Sequence, residues 1–555
     1  MVLRDASERF GSADFSSTKD LKKAGLLNQK NGSHLGFTRE KKPSPIYRPN
    51  ENSSITFGIS GSRKSTSNIG FKLFENDTNL VVADFKPELA EISALNIGVN
   101  KYFLNGYGAG AGAPWFLPTD HRMNPLDFTD PSKPSFFEDM TMMAMAAVKK
   151  PIGGGSGNAE HFYGKAMQVT TSVLIDGKAC NPHFSLVDLY NVINDIQSGS
   201  GEYFDFHINR MKNSVYSSVR AVALELESKA TMVPPEFGSI MSTISNSLQF
   251  FGSPTMQSMV SSPSTISPKE FVNGEAVNHL YIRFPEHVAD QSATAIRCIM
   301  TALFIEQQRN PVRPLKYLLD KSSVLGNFSL IPKICFLGRG CQTTADIYVQ
   351  NYGQLLHNFG ENETDTILSN CPFKLILGVS SDKTGKFVSD LLGKTTYRYL
   401  PQSKRAEASF KRAQAIQQVI NGGDLNTAML DIMRQSKTMK IPDSVARQLM
   451  NADEIIRRSA DEGLLIGTSL KPYRTFQQHY FLDRNVAHKF LPNPFHPPFD
   501  KIFIPTRFGR MKAIKIISEK VPASISQLPQ YSSGYWSYPE NFNPLQQKRF
   551  GIFNR

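Results

Sequence analysis

The stretch Gly58-Ile-Ser-Gly61-Ser62-Arg63-Lys64-Ser65 keeps the spacing G-x-x-x-x-G-K-[ST] of a phosphate-binding Walker A loop at every position but one. In such a loop backbone N–H groups curl around phosphate oxygens, the lysine neutralises them, and the following hydroxyl reaches a magnesium ion. The motif assigns nucleotide binding to Gly58, Gly61, Ser62, Lys64, Ser65 and Thr66, with Ser65 also a metal ligand. Arg63 stands where the second glycine belongs, although only glycine takes positive φ without steric cost. A Mg2+-dependent phosphoryl site also needs an acidic residue at the end of a buried strand. Lys316-Tyr-Leu-Leu-Asp320 supplies it as Asp320. In translocating ATPases a water-polarising glutamate usually comes next, but here the residue is Lys321. A cation there accepts no proton from water and opposes the metal. The two motifs therefore imply ATP and Mg2+ as ligands, while Arg63 and Lys321 put both binding and hydrolysis in question.

These residues need a strand–loop–helix unit to hold them. Ser54 to Leu73 fits one, and the apolar run Asn79 to Asp84 reads as the next buried strand. Upstream, Ser17-Thr18-Lys19-Asp20 can cap a short helix from Leu21 to Ala24 that Gly25 stops. Tyr107 to Pro114 reads as a glycine-rich loop, and Lys150 to Gly157 as a break between units. Helical spacing then runs through Asn158–Leu174, Ser185–Ile196, Tyr203–Thr231 and Phe237–Phe251. Strand-like runs return at Leu280–Phe284, Leu315–Asp320, Ile331–Leu337, Ala345–Val349 and Phe373–Val379. The pattern predicts an α/β fold, with a P-loop unit, a mostly parallel, doubly wound sheet and an all-α block set inside it.

The expected divisions are a first nucleotide-binding part over 1–157, the all-α insertion over 158–265, and a second nucleotide-binding part over 266–402. A basic helical arm follows over 403–440, then a C-terminal part of the nucleotide-binding domain over 441–512 and an irregular tail over 513–555. Within that tail the aromatics from Tyr531 to Tyr538 read as a disordered end or a docking segment.

A chain of 555 residues with 40% hydrophobic and 20% charged residues is globular and long enough for several domains. Its net charge of +13 favours an anionic partner. Five scattered cysteines, with no C-x-x-C pair, exclude a disulfide framework or zinc motif and fit a reduced compartment. The N-terminus has no apolar signal core, and no uninterrupted apolar run reaches membrane-spanning length.

The flanks make the motif specific. Gly11-Ser-Ala13, Asp20-Leu-Lys-Lys-Ala-Gly25-Leu-Leu and Leu35-Gly36 resemble the segment that enters the nucleotide-binding domain of TraG/TraD-like type IV coupling proteins. Asp84-Phe-Lys86-Pro87-Glu88-Leu89 is similar to that family's D-P-K-G-E-L, and Arg122-Met-Asn124-Pro125-Leu126-Asp127 matches its N-P-L-D. Leu319-Asp320-Lys321-Ser-Ser-Val-Leu-Gly326 resembles L-D-E-F-A-x-L-G, and Gly338-Arg339-Gly340 resembles G-R-x-x-G. Gln350-Asn-Tyr-Gly-Gln354-Leu355 resembles Q-S-x-x-Q-L, followed by Asn370-Cys371, Ser389-Asp-Leu-Leu-Gly393-Lys394-Thr395-Thr396 and Leu464-Leu465-Ile466. The matches stand in family order over about residues 11–485.

The resemblance implies a RecA-like P-loop NTPase domain with an inserted all-α domain, in a ring-forming, hexamer-like motor that passes relaxase–DNA complexes or protein effectors to type IV secretion channel components. It would work at the cytoplasmic face of the bacterial inner membrane. Lys64 would contact the β- and γ-phosphates, and Ser65 with Asp320 would hold Mg2+. Arg339 would act on the neighbouring subunit's γ-phosphate, and Gln350 would sense nucleotide, so the resemblance places Asp320, Arg339 and Gln350 in the catalytic set. The family's usual pair of N-terminal transmembrane helices does not precede Gly11, which implies indirect membrane association or a piece of a longer protein. Two functional alternatives follow: an active coupling ATPase, or a degenerate homologue that docks substrates as a non-hydrolysing adaptor, alone or beside an active motor.

Overall fold

The computed structural model describes residues 3–4, 11–28, 32–108, 115, 118, 120–151, 157–399, 402–422, 424–438, 443–483, 485–486, 489–506 and 510–545. Most of each glycine-rich stretch, 109–114 and 152–156, lies outside the described residues. In chain order the first strands are β1 (Leu3–Arg4), β2 (Gly32–Phe37), β3 (Pro45–Pro49), β4 (Ser54–Gly58), β5 (Asn79–Asp84) and β6 (Asn100–Leu104). After a long helical stretch come β7 (Asn278–Arg283), β8 (Leu315–Leu319), β9 (Thr343–Val349) and β10 (Phe373–Gly378). Then β11 (Lys394–Tyr399) and β12 (Asp443–Gln448) flank a pair of helices. The last are β13 (Glu462–Gly467), β14 (Leu470–Phe476), β15 (Lys501–Pro505), β16 (Met511–Lys520) and β17 (Tyr535–Pro539).

Eleven of these strands make one sheet in the order β3-β2-β14-β13-β10-β4-β9-β8-β5-β7-β6. From β10 to β6 every pairing is parallel. β13, β14, β2 and β3 extend it antiparallel. Parallel strands are covered on both faces, which is why β5 is apolar without alternation. Leu80 and Val82 enter one core while Val81 and Ala83 enter the other. The core that takes Val81 and Ala83 also takes helix Ala289–Arg309, and the other takes Ile69 and Leu73 from the segment after the phosphate loop. The stretch Glu286–Arg309 is the one among the described residues long and apolar enough to cross a membrane, and most of it is buried inside the fold.

Between β6 and β7 the described residues form the α-helices Phe136–Ala147, Gly157–Cys180, Leu186–Gln197, Glu202–Lys212, Ser217–Met232, Pro234–Leu248, Pro254–Val260 and Pro268–Asn273. The segment 203–231, expected as one helix, is two, divided at Asn213 to Tyr216. The early helix forms as Thr18–Lys23, with Ser17 and Asp20 in a reciprocal capping box and Gly25 at φ +74°.

Two expectations fail. Ile331–Leu337 is not a strand but lies in helix Leu330–Leu337, because a short, continuous apolar run carries no period that separates a buried strand from a buried helix. Cys335 is therefore on a helix, with its Sγ 3.7 Å from that of Cys371. The described part of the expected irregular tail, 513–545, is likewise structured, since β16 and β17 lie in it and form a three-stranded antiparallel sheet with β15. Tyr531, Trp536 and Tyr538, taken as a loose or docking end, are buried against Ala94, Leu95 and Trp115. Trp536 and Tyr538 are two apart on one strand face, so the scattered aromatics have the period of a half-buried strand.

Candidate nucleotide site

β4 ends at Gly58, and the chain turns with Ser62 N–H donating to the Ile59 carbonyl at 3.1 Å. A Cβ on Gly58 would stand 2.5 Å from Ser62 Oγ, so the Ser62 side chain packs where only glycine leaves it room in this rotamer. Gly61 lies at φ +78°. Arg63 takes the left-handed conformation of the glycine it replaces, at φ +64° and ψ +19°, and Lys64 opens a wide helical turn that continues as Gly70–Lys72. The loop keeps its curl despite the substitution. The Arg63 guanidinium is held by the carboxylate of Asp461. Thr66 Oγ1 is 2.9 Å from His479 Nδ1, whose ring stacks on Phe481. Residues flanking the β13–β14 hairpin thus cover the loop.

Lys64 Nζ donates to the Gly58 and Ile59 carbonyls at 2.7 and 2.9 Å, so the ammonium folds back onto its own loop. Burial lowers its pKa, Asp320 opposes that shift, and Lys321 adds to it. Asp320 directly follows β8 and is 8% exposed, and its Oδ1 has no hydrogen-bond partner among the described residues. Burial raises its pKa, while Lys64 and Lys321 pull it down. An orphaned carboxylate oxygen in electrostatic reach of the loop lysine, with the Ser65 hydroxyl on that loop, is a hard-oxygen donor set suited to Mg2+. Lys321 is also left-handed, at φ +59°, and its Nζ pairs with Glu286 at 2.6 Å.

β9 lies between β4 and β8, so Gln350, which follows β9, emerges between the phosphate loop and Asp320. Its backbone N–H donates to Gln354 Oε1 at 3.1 Å, and the Gln354 side-chain amide reaches Gln350 Oε1 at 3.4 Å. Gly58, Gly61, Ser62, Lys64, Ser65, Thr66, Asp320 and Gln350 therefore share the C-terminal edge of three adjacent parallel strands. Arg339 does not join them. It precedes β9 on the Gly338–Cys341 turn, at the opposite edge of the sheet, and is exposed beside Glu51 at 3.0 Å.

Several neighbours carried no motif signal. Asp461 and His479 meet the loop only through the antiparallel extension. Asp84, by contrast, opens the segment similar to D-P-K-G-E-L; it adjoins Asp320 across the β5–β8 pairing, and burial pushes its carboxyl up to about 7. Asp346 is fully buried in β9 and ties the loop's helix to the sheet, with Lys72 Nζ at 3.1 Å and Arg48 Nη2 at 2.7 Å. Burial would raise its pKa, but Arg48, Lys72 and Lys316 hold it far below the carboxylate range.

A parallel sheet with a Walker A-type loop, an acidic strand end and a polar residue just after the strand between them defines a P-loop NTPase fold of RecA-like architecture with an α-helical insertion. The profile of the type IV secretory system conjugative DNA transfer family matches residues 14–421, and the chain belongs to that family. Among curated relatives, the type IV secretion system-coupling protein VirD4 of Bartonella henselae is 19% identical over 242 residues, which is 43% of this chain and 35% of the relative. VirD4 of Bartonella quintana is 18% identical over the same shares. The match thus spans about a third of the length of these relatives. In fold, the chain is similar to the bacterial conjugative coupling protein TrwBdeltaN70 in its unbound form, with a TM-score of 0.59 at 13% identity over 84% of this chain and 95% of that one. TrwB in complex with ADP and Mg2+ gives 0.56 at 11% identity over 86% and 94%.

Proposed function

We propose that the chain is a type IV coupling protein that binds a nucleoside triphosphate with Mg2+ on the Gly58–Thr66 loop. It would recruit relaxase–DNA complexes or protein effectors to secretion-channel components at the cytoplasmic face of the bacterial inner membrane. The observation that carries nucleotide binding is the loop geometry. Arg63 holds the left-handed turn, and the Lys64 ammonium sits on carbonyls it can exchange for phosphate oxygens. The structural neighbour TrwB is found with ADP and Mg2+ and with a non-hydrolysable ATP analogue, which supports the same chemistry here. Lys64 would neutralise the β- and γ-phosphates, and Ser65 and Asp320 would hold the Mg2+, which supplies charge to the transferring phosphoryl group. Gln350, between the two motifs, would sense the nucleotide. Arg339, at the far edge, would act on another subunit's site, as in a hexamer-like ring.

Lys321 favours a second reading for turnover. Its ammonium binds Glu286, so the position supplies no base to water, and the chain would act as a non-hydrolysing adaptor or receptor. Calorimetry with Mg·ATP, beside Lys64→Ala, tests the first statement. Binding that the substitution abolishes supports it, and absence of binding overturns it. Turnover with and without DNA then separates the readings, and hydrolysis that appears only in Arg63→Gly/Lys321→Glu identifies the adaptor.

A further inference from the structure

The helices Gln402–Ile420 and Leu425–Thr438 pack on each other between β11 and β12, whose last described pair is Tyr399 and Asp443. The inner face of this hairpin is poor, because the side chains it buries are the alanines Ala408, Ala415 and Ala428. Its large apolar side chains point outward instead. On the first helix Phe410, Ile416 and Ile420 are 64%, 44% and 73% exposed, and with Ala406 and Ala413 they make one stripe at helical spacing. On the second helix Leu425, Met429, Leu430 and Met433 are all more than half exposed. An exposed apolar stripe on each helix of one hairpin marks an interaction site.

Charge decides between occupants. Residues 402–438 carry Lys404, Arg405, Lys411, Arg412, Arg434 and Lys437 against three acids, a net +3. Of the acids, Asp424 caps the second helix through the Asn426 and Thr427 amides, and Glu407 pairs with Lys411 at 2.6 Å. A second copy would bring an equally positive hairpin against this one. Nucleic acid would satisfy the cations and leave the apolar side chains in water. A bilayer with anionic headgroups satisfies both, because it takes Phe, Ile, Leu and Met below the headgroups while Lys and Arg stay at the phosphates.

We infer that the 402–438 hairpin is a peripheral membrane-binding element for anionic phospholipid, lying in the interface plane and not spanning it. This stands apart from the nucleotide site and holds whether or not that site turns over. The test is co-sedimentation of the full chain with phosphatidylglycerol/phosphatidylethanolamine vesicles and with phosphatidylcholine vesicles. Binding is expected to be at least about tenfold tighter to the anionic vesicles and to weaken with salt. Phe410→Ser/Ile416→Ser/Ile420→Ser and Lys404→Ser/Arg405→Ser/Lys411→Ser/Arg412→Ser should each lose it. In Phe410→Trp, the fluorescence of the introduced indole should be quenched by brominated phosphatidylglycerol, whereas the native Trp115 and Trp536 are buried. That readout serves even where a multiple variant misfolds. Absence of vesicle binding overturns the inference, as does binding that survives the apolar substitutions in folded protein. Emission from Phe410→Trp that stays unquenched on bound vesicles overturns it as well. Lipid-free dimers that dissociate on the apolar substitutions would assign the face to a second copy instead.

Discussion

Arg63 shows how a sequence can break a motif and keep its geometry. A left-handed turn costs a non-glycine residue about 1–2 kcal/mol, and its partly exposed pair with Asp461 returns about 0–1 kcal/mol. Glycine would relieve the turn but adds about 0.5–1 kcal/mol of chain entropy to be lost on folding. These terms nearly cancel, so Arg63→Gly is expected to shift stability by less than about 1 kcal/mol in urea denaturation. A loss well beyond that would mean the Asp461 contact anchors the loop. Lys321 differs in kind: its left-handed backbone is tolerated, but its charge changes what the position can do.

At the scale of elements, the edge strand β6 holds a lysine where an apolar side chain would be expected. Lys101 is fully buried and donates to the Ala94 and Asn96 carbonyls at 3.3 and 2.5 Å, and burial lowers its pKa to about 7. Unfolded, the same amine titrates near ~10.4. Between those values the unfolded chain binds the proton and the folded one does not, so stability rises with pH through that window. Lys101→Met should flatten the rise in thermal midpoint between about pH 7 and pH 9 relative to the unaltered protein. Lys72, buried and lowered to about 8, contributes with the same sign in both proteins and drops out of the comparison. β6 also depends on the C-terminal sheet, because Gln530 accepts from the Lys101 N–H and donates to the Val99 carbonyl, both at 3.0 Å. A segment that reads as a tail thus closes one end of the main sheet.

Over the whole molecule, a net charge of +13 makes long-range attraction to polyanions a property of the chain as a unit. Single-stranded DNA should bind without sequence preference, and fluorescence anisotropy should show log K falling linearly with log salt concentration. Affinity that ignores salt would rule out binding by phosphate neutralisation. Arg339 belongs to this scale too. Its guanidinium is 71% exposed and remote from its own loop, so Arg339→Ala should leave the thermal midpoint of the isolated chain unchanged. If the protein hydrolyses ATP, the same substitution should lower turnover in assemblies, with activity falling steeply in mixtures of altered and unaltered subunits.

The phosphate loop, the strand ending at Asp320 and the parallel order of the sheet were legible because they are local: spacing, an apolar run and a capping box are set by residues near one another in the chain. The run Ile331–Leu337 was misread for the same reason, since a handful of apolar residues carries no period long enough to choose between strand and helix. Partners distant in sequence were out of reach. Asp461 on Arg63, His479 on Thr66, Asp346 beneath Lys72 and the docking of Trp536 near Trp115 exist only because the sheet brings those segments together. The sequence by itself determined the Walker A-like spacing of the loop after β4 and the acidic residue after β8. The tertiary structure decided that Arg339 stands at the opposite edge from them, because parallel strands put a residue before β9 and a loop after β4 at opposite ends of the sheet.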